Sequence, residues 1–453
     1  MNCRIDLVHR TATRGNSLRI VHLNTYDDTG GAARATYRLH RGLQKLGHNS
    51  LMLVAHRKRH DPDVMSFVPP MDFITRVRRR IRFEWIRRDY SLYRHTRPAG
   101  YEKFTDDRTL AGSDLLSQLP PCDVVNLHWI ADFVDLRSLF SALPHHVPIF
   151  WRLSDMNPLT GGCHFDDGCG RYANGCGLCP QLGSTDGQDL SRRIWRRKQA
   201  VFETVDPARV HLIALNRWMA DQARRSPLLD KFPVTIVPNG VDTEVFEPQD
   251  RRKARDFLGI PQDRQVVLFA AEAVTNRRKG LALLTAALAK LQKSENLLLL
   301  SVGRGAPKIS IDIPHSHLTH VDDDRRLAAI YSAADLYVIP SIQDNQPNTV
   351  LEAMACGTPV VGFAVGGIPD MVRPGITGLL TSVGDVSGLA TAIMEMLRCT
   401  DKRKTMGAAC RRVVLDEYTR ELQVDRYVRL YRAALERCSP AISQVAEAGS
   451  AVY

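Results

Sequence analysis

The chain has 453 residues, of which 44% are hydrophobic and 24% charged, with 61 basic against 49 acidic side chains and a formal net charge of +12. That length allows two or three domains with substantial cores, and the composition is that of an ordinary globular protein. No apolar run reaches the ~18 residues of a membrane-spanning helix, and residues 1–17 lack the apolar core of a secretory signal, so they are read as a disordered leader. From Leu18 short apolar runs alternate with amphipathic helices, the pattern of an α/β protein with parallel sheets. Leu18–Asn24 is expected as a strand, Thr25–Gly31 as a glycine-ended loop, Ala32–Leu46 as a helix and Ser50–Ala55 as the next strand. Gly30 and Gly31 fall at the C-terminal end of the first strand, where open α/β sheets bind ligands and where glycine admits close approach of a phosphate.

A basic segment follows. Residues 76–97 hold nine arginines against Glu84 and Asp89, and Ile74, Val77, Ile81 and Trp85 recur at helical spacing. Such a helix fits an anionic membrane surface; its stripe could equally pack on the domain, and no nucleic-acid module accompanies it. The run Arg192-Arg193-Ile194-Trp195-Arg196-Arg197-Lys198 forms a second basic patch that adds weight to an anionic-lipid partner. Asp123–His128 and Val147–Leu153 are expected as strands of the same sheet. His128, at the end of one, is a candidate to face a ligand beyond the strand ends, and Asp155 occupies the matching rim. A second α/β series is expected to begin near Val234, with strands at Arg264–Ala271, Asn296–Gly303, Asp335–Pro340 and Thr358–Phe363. Between the two series PNGVDTEVFEPQD, residues 238–250, reads as a linker.

The most informative stretch is SIQDNQPNTVLEAMACGTPVVGFAVGGIP, residues 341–369. Asp344 lies in a turn-rich loop and Glu352 on the helix that follows. A helix starting near Pro347 or Asn348 points unpaired N–H groups back at that loop. A diphosphate at the helix end, with sugar or ribose hydroxyls bonded to carboxylates, suits this arrangement, so a nucleotide-sugar is the expected ligand. The run Arg277-Arg278-Lys279-Gly280, after the first strand of the second series, can neutralise a departing diphosphate. Asp166-Asp167 and Asp322-Asp323-Asp324 read as loop turns or helix caps rather than as metal ligands.

As a whole the stretch resembles the donor-binding segment of family 4 (group 1) retaining glycosyltransferases. These have a GT-B fold and show Glu, seven residues, Glu, then Ala-Met-Ala-x-Gly-x-Pro-Val. Here Asp344 takes the place of the first Glu. The family also usually carries Arg, four residues, then Lys-Gly, whereas Val274 stands five before Lys279. PNGVD at 238–242 is similar to the family's interdomain hinge. The resemblance implies two Rossmann-like domains facing across a cleft: 18–235 on the acceptor side, with a basic insertion at 73–98 and a cysteine-rich insert at 160–183, and 236–415 for the nucleotide-sugar. Helices over 416–438 would cross back to the first domain, and 439–453 would form a flexible tail. It implies catalytic roles for Lys279, Arg278, Asp344 and His128. Donor binding falls to Glu352, Gly30, Gly31, Asn348 and Thr349, and the acceptor side to Asp155 and Arg34. No cofactor is needed for catalysis. The implied partners are a nucleotide-sugar and a lipid-linked or oligosaccharide acceptor, with the enzyme cytoplasmic and peripheral on the inner membrane face through 73–98. Epimerases of the same fold and a non-catalytic glycan- or lipid-binding protein are the alternatives.

Of ten cysteines, Cys163, Cys169, Cys176 and Cys179 fall within one short segment. In a reducing compartment they are candidate ligands of a structural zinc, with free structural thiols the alternative. A similar Thr-Gly-Gly-Cys-His and Cys-Gly-x-Cys-Pro insert resembles bacterial family 4 enzymes of exopolysaccharide and colanic-acid type, where it is expected to be structural and near the acceptor side.

Overall fold

In the computed structural model, which describes residues 17–291, 296–319 and 321–449, with side chains to 437, two parallel sheets carry the chain. The first contains β1 (Arg19–Tyr26), β2 (Asn49–His56), β3 (Val64–Ser66), β4 (Val124–Leu127), β5 (Ile149–Arg152), β6 (Val210–Ala214) and β7 (Val234–Ile236), in the order β3-β2-β1-β4-β5-β6-β7. The second contains β8 (Gln265–Ala273), β9 (Leu297–Arg304), β10 (His315–Leu318), β11 (Leu336–Ile339), β12 (Val360–Phe363) and β13 (Gly378–Thr381), ordered β10-β9-β8-β11-β12-β13. Residues 1–16, which hold nearly all of the expected leader, lie outside the described residues.

Both sheets are covered on both faces, which is why their strands read as continuous apolar runs rather than alternating ones. In β8, Val266, Leu268 and Ala270 enter one core and Val267, Phe269 and Ala271 the other, as the two-residue period of a strand requires. Each sheet reverses its strand order once, between β1 and β4 and between β8 and β11. Ligands of open α/β sheets bind beyond the strand ends at such a reversal. The two reversals face each other: a Cβ added to Gly30, just after β1, would stand 3.1 Å from the Glu272 carboxylate at the end of β8.

The structure departs from the sequence reading at several places. Val234 closes the edge of the first sheet, because β7 pairs with β6 and not with the second series. Three half-exposed residues carry too little pattern to show this. The last helix runs unbroken from Arg420 to Gly449, past the expected start of a flexible tail, through a segment rich in helix-favouring Ala, Gln and Glu. Its Val424, Tyr427, Val428 and Tyr431 pack with Ile20, Leu39, Val124 and Phe150, and Asn126 donates to the Tyr431 hydroxyl at 2.7 Å.

Helix α1 (Gly31–Lys45) follows β1, and helix α2 (Phe73–Ser91) carries the basic segment. No residue of α2 is buried, and its apolar stripe faces outward, with Ile74 61% and Trp85 63% exposed. The alternative in which this stripe packs on the domain therefore does not hold. The second basic patch does the reverse. On helix Leu190–Phe202 the side chains of Ile194, Trp195 and Lys198 are buried, Arg193 pairs with Asp89, and Arg197 pairs with Asp106 and Asp107. Most of its charge is met within the domain, and Arg196 is the exposed member of the run.

Candidate active site

The loop after β11 is pressed against the glycine turn after β12: Gly366 has φ +58°, and a Cβ there would lie 1.7 Å from the Asp344 carbonyl oxygen. Only glycine fits that approach. The turn holds Asp344 at the cleft with its carboxylate almost fully buried. Lys279 Nζ stands 2.6 Å from Asp344 Oδ2, Arg278 Nη1 lies 3.5 Å from Oδ1, and Ser341 Oγ donates to Oδ2 at 3.0 Å. Burial pushes the Asp344 carboxyl up, but Lys279 and Arg278 outweigh it and hold it below the ordinary carboxylate range. Arg278 is fixed by Glu102, 2.6 Å away, and by the Phe165 ring 3.8 Å below its guanidinium. Arg277 turns outward to Asp167 and Tyr101. Of the two arginines that could accompany Lys279, the structure therefore brings Arg278 to the carboxylate.

Glu352 lies one layer deeper, on helix Asn348–Ala355. Its Oε1 is 2.9 Å from Arg38 Nη1 of α1, and its Oε2 accepts from the Tyr331 hydroxyl at 3.0 Å. Arg38 also reaches Asp324 at 3.3 Å; burial disfavours its charge, but the two carboxylates prevail and raise its pKa. Arg34, one turn earlier, contacts the Val321 carbonyl and Asp322. Asn348 donates to the Gly31 carbonyl at 3.0 Å and accepts from Asn239 at 3.1 Å, and Thr349 accepts from Tyr337 at 2.7 Å. Two joined spaces result, sharing Gly30, Gly31, Asn348 and Thr349 in their walls. One, of about 990 Å³, includes Glu352 and Arg34; the other, of about 1640 Å³, includes Asp344, Lys279, Arg278 and Asp155.

His128 is not at that surface. It is buried behind Arg152, with Nε2 2.9 Å from His22 Nδ1 and Nδ1 3.3 Å from Arg152 Nη1. Arg152, which does line the cleft, passes the contact on to Asn239 at 2.8 Å. Burial, with His22 and Arg152 adding to it, holds His128 far below the usual histidine range, so it stays neutral. The strand-end position was legible, but the residue's face was not: β4 turns this side chain toward α1 and the closing helix. Asp155 is at the rim, accepting from Trp129 Nε1 and His164 Nδ1, both at 2.6 Å. Trp129, Glu102, Tyr331 and Arg38 escaped sequence reading because each acts across a long chain separation, where no local spacing marks the pair.

The cysteine-rich insert backs this rim through His164, and it touches the second domain where Gln343 donates to Asp166 at 2.7 Å. Cys163, Cys169, Cys176 and Cys179 line one small pocket. Burial raises the thiols of Cys163, of Cys176 to about 12 and of Cys179 to about 11, and the Gly161 amide donates to Cys176 Sγ at 3.3 Å. Among the described residues no three His, Cys, Asp or Glu side chains are grouped so that they could hold a metal ion. The aspartate run has the expected capping role in part: Asp323 caps helix Asp324–Ala333, while Asp322 and Asp324 pair with α1.

Residues 264–399 match the family model described as glycosyl transferases group 1. D-inositol 3-phosphate glycosyltransferase of Mycobacterium tuberculosis is 34% identical over 235 residues, 48% of this chain and 47% of that protein. The chain thus spans about half the length of the curated relatives it matches. Among solved structures, sucrose-phosphate synthase from Thermosynechococcus elongatus superposes with a TM-score of 0.64 at 20% identity, over 92% of this chain and all (100%) of that one. HepE of Anabaena, solved with UDP and glucose, gives 0.61 at 15% identity, again over 92% and 100%. At these identities the likeness shows the fold, and the fold is GT-B.

Proposed function

We propose that this protein is a retaining glycosyltransferase that moves a hexose-type sugar from a nucleoside diphosphate donor to a lipid-linked oligosaccharide in cell-surface polysaccharide synthesis. The observation that carries the reading is Asp344 clamped between Lys279 and Arg278 at the mouth of a cleft that also holds Glu352 and the Gly30–Gly31 turn. Lys279 and Arg278 supply positive charge where a diphosphate departs, Glu352 offers carboxylate oxygens to ribose, and Asp344 meets the donor sugar. The acceptor hydroxyl oxygen bonds to the anomeric carbon as the bond from that carbon to the β-phosphate oxygen breaks. The bonding pair leaves with the nucleoside diphosphate, which takes the hydroxyl proton on the same face, so configuration is kept. The reading asks for no cofactor. That HepE was solved with UDP and glucose supports the donor class.

Helix α2 is the proposed contact with the anionic inner face of the membrane, since its exposed stripe lies among arginines such as Arg76, Arg78 and Arg88. Among the described residues no helix is long and apolar enough to cross a membrane. In the deciding experiment the purified protein receives a panel of nucleotide-sugars with a membrane lipid extract, and nucleoside diphosphate release is followed. Release that needs the extract is expected, and it should fall by about two orders of magnitude or more in Glu352→Ala and Lys279→Ala. Sugar inversion without an acceptor would indicate an epimerase, and binding without turnover a non-catalytic protein. Flotation with phosphatidylcholine vesicles containing phosphatidylglycerol checks α2: Trp85→Glu should weaken binding without lowering Tm.

A further inference from the structure

Beside the cleft lies an open groove of about 1360 Å³, between the C-terminal end of α2, the following loop to Lys103, and Leu182. Arg87, Arg94, Arg97 and Lys103 line it, and among the described residues no acidic side chain does. Arg87 pairs with Glu84 at 2.8 Å and Lys103 with Asp132, which leaves Arg94 and Arg97 at the cavity with no carboxylate partner among the described residues, a surface suited to a phosphorylated ligand. Three tyrosines, Tyr90, Tyr93 and Tyr101, complete the wall, and flat rings next to cations suit a sugar phosphate. The groove is built, not a gap between side chains. Tyr90 donates its hydroxyl to the Phe104 carbonyl at 3.0 Å, Tyr93 accepts from the Leu190 amide at 2.9 Å, and Thr96 donates to the Leu182 carbonyl at 2.8 Å. Arg97 is anchored to the Glu102 carbonyl and Lys103 to Asp132, whereas the exposed Arg94 side chain makes no hydrogen bond or ion pair among the described residues.

The groove is connected to the chemistry. Lys103 belongs to both the groove and the cleft, and its neighbour Glu102 is the carboxylate that fixes Arg278. On the other side the groove begins where α2 ends, so a ligand lying in it spans from the proposed membrane helix to the donor cleft.

We infer that this groove binds a phosphate or diphosphate group of the acceptor, with the acceptor's reacting sugar reaching past Lys103 to the cleft. The inference rests on the glycosyltransferase reading and narrows its acceptor to a phosphorylated one. The test compares wild type with Arg94→Gln/Arg97→Gln and with Arg94→Lys/Arg97→Lys, measuring donor and acceptor KM with the chloroform–methanol fraction and the aqueous fraction of the same cells as acceptor sources. In wild type the acceptor KM should rise with salt. The Gln pair should raise it roughly tenfold or more, flatten that salt dependence and leave donor KM unchanged, while the Lys pair keeps most of the affinity. Turnover with the organic fraction assigns the phosphate to a lipid-linked acceptor, and turnover with the aqueous fraction to a free sugar phosphate; either supports the inference. An unchanged acceptor KM in the Gln pair would overturn it, including where vesicle binding is lost instead, since the groove would then hold bilayer headgroups. If wild type consumes no nucleotide-sugar at all, the parent reading fails first, and the two failures are thereby told apart.

Discussion

Glu352 and Arg38 show what a single contact does in this cleft. A buried carboxylate and guanidinium 2.9 Å apart strengthen each other, and removing one leaves the other charged in a low dielectric. Glu352→Ala is therefore expected to destabilise the protein by about 3 kcal/mol, read as a lower midpoint in urea unfolding. Glu352→Leu with Arg38→Met should recover much of that loss, yet donor binding should stay absent, because the recovered packing carries no oxygen for ribose. Lys279 offers the complementary case. Lys279→Ala leaves Asp344 with the more distant Arg278, and on the proposed reading it should lower kcat by about 10²–10³-fold in the nucleoside diphosphate release assay. Lys279, Asp344 and Glu352 could be singled out in the sequence because their motifs are local. Arg38 could not: on a sequence page it is one arginine of an amphipathic helix.

At the scale of elements, the strands of the first sheet bury an unusual polar layer. His22 on β1 bonds directly to His128 after β4, Ser50 bridges His22 to His40 on α1, and Arg152 lies against His128. Burial holds all three imidazoles below the usual 6.5, His40 down to about 4. The folded state thus stays unprotonated where the unfolded chain takes up protons, so stability rises with pH through this range and levels off above about 6.5. Tm is expected to fall from pH 6.5 toward pH 4, with a shallower slope in His128→Asn, measurable by differential scanning calorimetry. The strands themselves were legible because both-face burial makes apolar runs. β3, β6, β7, β10 and β13, each of three to five residues, were not read as strands, since so short a run carries little pattern against its neighbours.

The whole molecule is held closed by bonds that cross between the sheets' loops. Asn345 donates to the Leu153 and Ser154 carbonyls at 2.9 and 3.0 Å, Asn216 donates to the Asn345 carbonyl and side-chain oxygens, and Gln346 accepts from the Asn239 amide at 2.7 Å. Asn345→Ala leaves buried carbonyls unpaired, a cost of about 1–3 kcal/mol borne by the closed arrangement. Small-angle scattering should then show a larger radius of gyration, and hydrogen exchange should speed up in residues 153–154. The sequence by itself determined the two α/β series, the glycine turn after the first strand, and the carboxylate–helix motif at 344–352, because strand periodicity, turn chemistry and helix starts are local properties. It also marked α2 as basic and amphipathic. Only the tertiary structure decided that its stripe faces outward, that His128 lies behind Arg152 and not in the cleft, that Arg38 meets Glu352, and that four cations surround one groove. Each of those is a meeting of segments far apart in the chain or a choice of face, and packing alone fixes it.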